Sequence, residues 1–412
     1  MRIRSLGTVL LAFIFAVVTA TTTVADESSP AAAVPTTITG RFVDENNWPL
    51  AKIGVSNWDY DWNYRETTTD KNGNFVLTVS VAEVGSVELT YSDQEFGQFE
   101  EVTLTLPQVT PGKTRSIGTI RLSSVRNPGR HKKAIKTSSK KAVKKAYRKR
   151  FAKQVRNEKP VKVKGCKAAA TPKALQKREL KAVNLFRAMA GLAPVKLDKK
   201  LSQRARAAAL IQYRQGYLDH YPAKSTKCYT KAGGAASSES NLSMGWVGAG
   251  NMNGYMIDPG SGNTAVGHRR WIMAPGLTKI GTGYAGTFNA LHVTSDPNYA
   301  KPTPQWISWP TAGFFPDQLE PWGRWSFMTA RHDLSFKKAN VTVTIKGKKQ
   351  KIKVYRGADG YGYQQGLSWD FNKIPKAKGK KTTVVKVAVS GIQLRDATTL
   401  PTVTYSVKLF RG

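Results

Sequence analysis

The chain has 412 residues, room for two to four domains, and a formal net charge of +37. A field of that size favours anionic partners whatever the fold. Its two cysteines, Cys166 and Cys228, lack the closely spaced pairs of a structural zinc site, and beyond the N-terminus no stretch is apolar enough to span a membrane.

Residues 1–25 read as an export signal. Arg2 and Arg4 precede an apolar core from Val9 to Val18, and Thr23-Val24-Ala25 supplies a small-residue cleavage site. The apolar run is short for a membrane span, and Tyr405 to Gly412 carries no sorting-type motif. The expectation is a secreted protein, or one held at the cell surface by non-covalent contacts. In an exported chain Cys166 and Cys228 are expected to pair, pinning the start of a central domain to the loop after His220.

Residues 36–122 read as β. Thr37 to Asp44 alternates, Asn46-Asn47-Trp48-Pro49 makes a turn, and Asp70-Lys71-Asn72-Gly73 separates two further strands. This order resembles the carboxypeptidase regulatory-like family, and the resemblance implies a small β-sandwich common in surface proteins. The cluster Trp58-Asp59-Tyr60-Asp61-Trp62-Asn63-Tyr64 reads as an aromatic-rich strand packing on its own sheet, with stacking on sugar rings as the alternative.

Residues 126–165 read as a basic linker. From Arg126 to Lys164 there are seventeen Lys/Arg against one acid, Glu158, a share of +16. Like-charge repulsion is expected to keep it disordered when free. Val143, Tyr147, Phe151 and Val155 recur every four residues, so a form bound to an anionic surface reads as an amphipathic helix. The partner expected for residues 126–164 is an anionic cell-envelope polymer or a membrane surface, with no specific nucleic acid.

Two helices follow, one from about Ala174 to Gly191 and one from Lys199 to Gln215. Lys231 to Ser238 reads as a small-residue loop, and Leu277 to Val293 as two strands about Ala285-Gly286-Thr287. Between these elements lie His220, Glu239, Asp258 and His268, an ordered His, Glu, Asp, His series. Asn184-Leu185-Phe186-Arg187, then Gly191-Leu192-Ala193-Pro194-Val195, then Asp198 and Leu201 look like the opening of bacterial CAP (SCP-like) domains. Glu239-Ser240-Asn241-Leu242 and Gly267-His268-Arg269-Arg270 match that family's later motifs.

The resemblance implies an α-β-α sandwich over residues 172–298 with a central cleft lined by His220, Glu239, Asp258 and His268. An insertion, roughly Ser261 to Val266, separates Asp258 from His268. Two imidazoles with one or two carboxylates suit a divalent metal such as Zn2+, held by His220 and His268 with Glu239 beside one of them. A hydrogen-bonded polar cluster that closes the core is the structural alternative.

Pro297, Pro302 and Pro304 mark a boundary, after which residues 303–412 alternate as strands of a C-terminal β-sandwich. Trp306, Trp309, Trp322, Trp325 and Trp369 read mainly as core or interface residues, with a sugar platform as the alternative. The sequence thus predicts an α+β multidomain chain: N-terminal β-sandwich, central α-β-α CAP-like sandwich, C-terminal β-sandwich. The functional expectation is a secreted or surface protein, non-enzymatic, binding a lipid, glycan or polyanion of envelope or host. The rivals are a metal-dependent hydrolase acting on cell-envelope material and an adhesive spacer; no trusted nucleophile is apparent, since Ser243 and Ser261 lack a recognisable elbow.

Overall fold

A computed structural model describes residues 32–44, 49–59, 63–92, 102–122, 129–295, 298, 301–331, 334–356, 361–379, 381–394 and 399–412. The export signal expected over residues 1–25 lies outside the described residues, as do residues 60–62 of the aromatic cluster and the boundary residue Pro297. The chain is α+β, with its described α-helices confined to the middle third and several separate sheets.

In the N-terminal part, strand Val34–Val43 pairs antiparallel with Asn74–Val81 and parallel with Arg115–Arg121. A second sheet runs in the order Tyr64–Thr68, Gly54–Trp58, Gly85–Ser92, Val102–Val109. Alternation sends Phe75, Leu77, Val79 and Val81 to one face of their strand. They meet Val55, Leu89, Tyr91 and Leu106 of the second sheet in one apolar cluster. Trp58 and Tyr64 depart from expectation. They are 64% and 48% exposed, with ring centroids 5.3 Å apart, and Tyr64 opens the edge strand, so neither packs into the sheet.

The central part is built on a sheet ordered Lys196–Leu197, Lys279–Ala285, Phe288–His292, Ser240–Ser243. Helices are numbered in chain order: α1 Lys140–Tyr147, α2 Lys173–Ala190, α3 Lys199–Gln215, α4 Lys231–Ser238, α5 Ala249–Ile257 and α6 Gly267–Ile272. Strand Lys279–Ala285 explains the layering. A Cβ at Gly281 or Gly283 would lie 2.2 Å from the backbone of α3, so glycine is what lets that helix seat on the sheet. The alternate residue Tyr284 faces the other way, and its hydroxyl donates to Glu179 of α2 at 2.5 Å. The sheet therefore lies between α3 on one side and α2 on the other. The small-residue stretch Lys231–Ser238 is helical, not a loop. Thr230 accepts from the Gly233 amide at 3.0 Å, and Gly233 fits tightly against Ile211 of α3.

The C-terminal part has two sheets. One runs Ile307–Trp309, Arg324–Thr329, Gln365–Phe371, Ile352–Tyr355; the other runs Gly313–Pro316, Val403–Phe410, Thr383–Ser390, Asn340–Ile345, Lys348–Lys349. Across the break expected near Pro297–Pro304 no described sheet continues, yet the two parts share apolar packing. Phe186 of α2 meets Trp309 edge-on at 5.8 Å, and both belong to one apolar cluster that runs through the two parts. Trp309, Trp325 and Trp369 are buried, Trp306 stacks on Phe327, and Trp322 alone of the five is exposed.

The segment expected as a disordered linker is folded, at least from Gly129 onward. Ser139 caps α1 by accepting from the Ala142 amide, and a wider π turn over Arg148–Ala152 follows. The stripe Val143, Tyr147, Phe151 is buried against Phe186 and the sandwich beyond it, whereas Val155 is exposed. Apolar burial on one side outweighs the charge repulsion, because the cations of this segment point to water on the other.

Two tests follow from this architecture. The Cys166–Cys228 bond, with Cα atoms 5.2 Å apart, closes a span of 62 residues. Replacing both by serine should lower unfolding stability by about 2–4 kcal/mol in a denaturant titration. Glu179 is wholly buried, and burial raises its carboxyl from 4.5 to about 7 against the pull of the Tyr284 hydroxyl. The unfolded chain loses this proton first, so stability should fall as pH rises from about 4.5 to 7, by about 3 kcal/mol. Glu179→Gln keeps the oxygen that accepts from Tyr284 and should flatten that part of the pH profile.

Candidate functional site

His220 stands just beyond α3, which stops at Gly216 in the left-handed region. Gln212 ties the following turn down, accepting from the Asp219 amide at 2.7 Å and donating to the Asp219 carbonyl at 2.9 Å. The exposed imidazole of His220 then meets the Ser237 carbonyl through Nδ1 at 2.8 Å. A carbonyl only accepts, so Nδ1 carries the proton and Nε2 is left as a lone-pair acceptor.

His268 is fixed in the same sense by a different device. Asp258 ends α5 in the left-handed region at φ 53° and is fully buried. Its Oδ2 accepts from the His268 and Arg269 amides at 3.0 and 3.4 Å, starting α6, while Oδ1 meets His268 Nδ1 at 2.7 Å. Again Nδ1 is the donor, which in the neutral ring makes Nε2 the acceptor, and the side chain is 24% exposed. Asn241 donates to the His268 carbonyl at 3.0 Å, and the Tyr255 ring lies 5.5 Å from the imidazole.

The segment from Ser237 to Asn241 thus touches both histidines, one through Ser237 and the other through Asn241. No hydrogen bond joins the imidazoles directly among the described residues. Glu239, expected beside one of them, bonds elsewhere. Its Oε2 takes His292 Nε2 at 2.9 Å and an ion pair from Arg204 of α3. Burial holds His292 below the usual imidazole range, with Glu239 opposing that shift. Among the described residues no three His, Cys, Asp or Glu side chains converge to hold a metal. Of the two histidines, Nδ1 is bonded to the protein in each, to the Ser237 carbonyl and to Asp258 respectively.

Arg204 and His292 escaped the sequence reading. Arg204 is one of several cations on α3, and His292 ends a strand otherwise read as apolar; only its being the lone imidazole of that strand offered a signal. The arginines of the motifs prove structural. Arg187 is buried without a carboxylate and donates to the carbonyls of Ala193, Ile272, Ala274 and Leu277 at 2.7–3.2 Å. Burial pushes its guanidinium down to about 9. Arg269 pairs with buried Glu320 at 2.8 Å, and Arg270 is interlocked with Gln364, both partners lying in the C-terminal part.

The Ser261–Val266 insertion is used in the same way. Arg324 clasps Asp370 with two bonds of 2.8 Å and reaches the carbonyls of Asp258 at 3.0 Å and Gly260 at 2.7 Å. Ser368 donates to the Thr264 carbonyl. The C-terminal sheets therefore hold the loop that carries Asp258 and His268.

The family model CAP, the Cysteine-rich secretory protein family, matches residues 180–294, and this central part is a CAP domain. Among solved structures, an extracellular protein containing a SCP domain from Bacillus anthracis is 15% identical, over 30% of this chain and 44% of its own, with a TM-score of 0.22. A catechol 1,2-dioxygenase from Pseudomonas arvilla C-1 is 14% identical, over 25% of this chain and 56% of its own, with a TM-score of 0.19. The chain spans about half the length of these structures. No curated protein matches the sequence.

Asp258→Asn tests the tautomer assignment. Asparagine tolerates the left-handed backbone. Its single oxygen is best placed to keep the two amide bonds, turning the NH2 group towards His268 Nδ1. The His268 proton should then move to Nε2, seen as an exchange of the two ring 15N shifts, while the shifts of His220 stay unchanged.

Proposed function

We propose that this protein is an extracellular CAP-domain binding protein that takes a hydroxyl-bearing ligand of cell envelope or host surface, a glycan in the first instance, without turning it over. The observation that carries this reading is how the acids are committed. Asp258 is buried against His268 and two amides, and Glu239 is compensated by Arg204 and shared with His292. What remains for a ligand, beside the partly exposed second oxygen of Glu239, is a pair of imidazoles suited to hydroxyl donors. Exposed Tyr217 and Tyr221 flank His220 in the chain and offer apolar faces of the kind that stack on sugar rings. A divalent cation on the two Nε2 atoms would supply a Lewis-acidic centre and fill its shell from water or ligand hydroxyls.

Export is supported by the signal-like residues 1–25 and by the Cys166–Cys228 bond, which belongs to an oxidising compartment. No helix among the described residues is long and apolar enough to cross a membrane. The N-terminal two-sheet part, read as a carboxypeptidase regulatory-like domain, would serve as a surface module. One observation favours hydrolysis instead: Asp258 orients His268 as a carboxylate orients a general base.

Calorimetric titration with soluble peptidoglycan fragments, run beside chromatography of the same mixture, separates the two readings. Binding should weaken about tenfold, roughly 1.4 kcal/mol, when His220→Ala and His268→Ala are combined, with no new reducing ends or amino groups from the unaltered protein. Products that vanish in His268→Ala would assign a hydrolase. Unchanged binding in the double variant would remove the histidine pair from the ligand site. Zn2+ alone, titrated separately, should be taken up by the unaltered protein and not by the double variant.

A further inference from the structure

We propose that the outer face of α1 and of the π turn after it is a preformed groove for a linear phosphodiester polymer of the poly(glycerol phosphate) kind, held by charge alone. The proposal is independent of the histidine pair. Lys141, Lys144, Lys145, Arg148, Lys149 and Lys153 line a groove of about 620 Å³ into which no acidic side chain enters. Lys141, Lys145, Lys149 and Lys153 recur every four residues. On a helical surface that spacing brings neighbours to about 5–6 Å. The row runs about 18 Å at 1.5 Å per residue. A flexible chain with one negative charge per repeat can lie along it, each phosphate meeting a lysine.

The rest of the segment narrows the choice of partner. A helix that enters a bilayer offers an apolar face, and the apolar stripe here, Val143, Tyr147 and Phe151, is packed inside the protein. Binders of single-stranded nucleic acid interleave cations with aromatic platforms. The two aromatic residues of this segment are those buried ones, so the groove presents cations on alkyl stems and no ring on which a base could stack. Because the groove is folded beforehand, binding incurs no cost of ordering the backbone.

Binding of the full chain to poly(glycerol phosphate) can be followed by fluorescence anisotropy across a salt series. Log affinity should fall linearly with log salt. Changing Lys141, Lys145, Lys149 and Lys153 together to Gln should weaken binding by at least about tenfold and reduce the salt slope by about 3, at roughly 0.7 per phosphate released. Changing them to Arg should retain binding. A control variant with Lys346, Lys348, Lys349 and Lys351 changed to Gln removes the same charge from an exposed hairpin and should weaken binding by less than about threefold. Equal losses in the two Gln variants would show that only the overall field attracts the polymer. Loss in the Arg variant, or equal or tighter binding to phosphatidylglycerol vesicles or to a single-stranded oligonucleotide, would likewise overturn the groove.

Discussion

The buried guanidinium of Arg269 is the interaction on which the rest depends. It donates to the Met256 and Ile257 carbonyls at the end of α5, to Ser326 and the Arg324 carbonyl on a strand of the C-terminal sandwich, and to Glu320. The pair with Glu320 is dry, and burial raises the Glu320 carboxyl to about 8 even with the guanidinium beside it. Such a pair adds little net stability, yet removing either member leaves a charge or an acid stranded in the core. Its effect is to fix geometry. With Arg324 on Asp258 and Gly260, it makes the loop of His268 part of the sandwich as much as of the CAP domain.

That coupling explains what the sequence hid. The order His220, Glu239, Asp258, His268 is a local pattern, and so are the glycine at the end of α2 and the alternating strands; all are visible along the chain. The partners of Glu239 are not, because Arg204 and His292 come from a helix and a strand 35 residues before it and 53 after it. Arg269 and Arg270 stand beside the histidine in sequence and invite a role in the site. Their side chains turn inward because a guanidinium can satisfy several carbonyls at once. Prolines near residue 300 signal a change of strand pattern and carry no information on whether two apolar faces meet across it.

The basic segment departs from expectation for a related reason. Its charge density is a property of the whole span, whereas folding depends on one face of it. Three apolar residues at four-residue spacing suffice when a ready partner exists, and Phe186 and the strand Gly313–Pro316 supply it. A stripe that looks like a membrane anchor in isolation is then a piece of core. The spacing was legible; its destination depended on partners that begin with Phe186 and end with a strand past residue 310.

The two kinds of cation are sorted accordingly. Among the described residues Arg187, Arg269, Arg270 and Arg324 are buried and no lysine is. A guanidinium is weakly hydrated, planar and rich in donors, so carbonyl clusters and carboxylates can replace its water; an ammonium is compact and strongly hydrated, and stays out. Four arginine charges are thus neutralised or shielded inside, and among the cations left outside lysine outnumbers arginine. Lysines on flexible stems exchange phosphate for water with little reorganisation, which suits reversible attachment along a repetitive polymer. Inner arginines hold one geometry and outer lysines many, so the loop that carries Asp258 and His268 is fixed from inside while the outer cations stay on flexible stems.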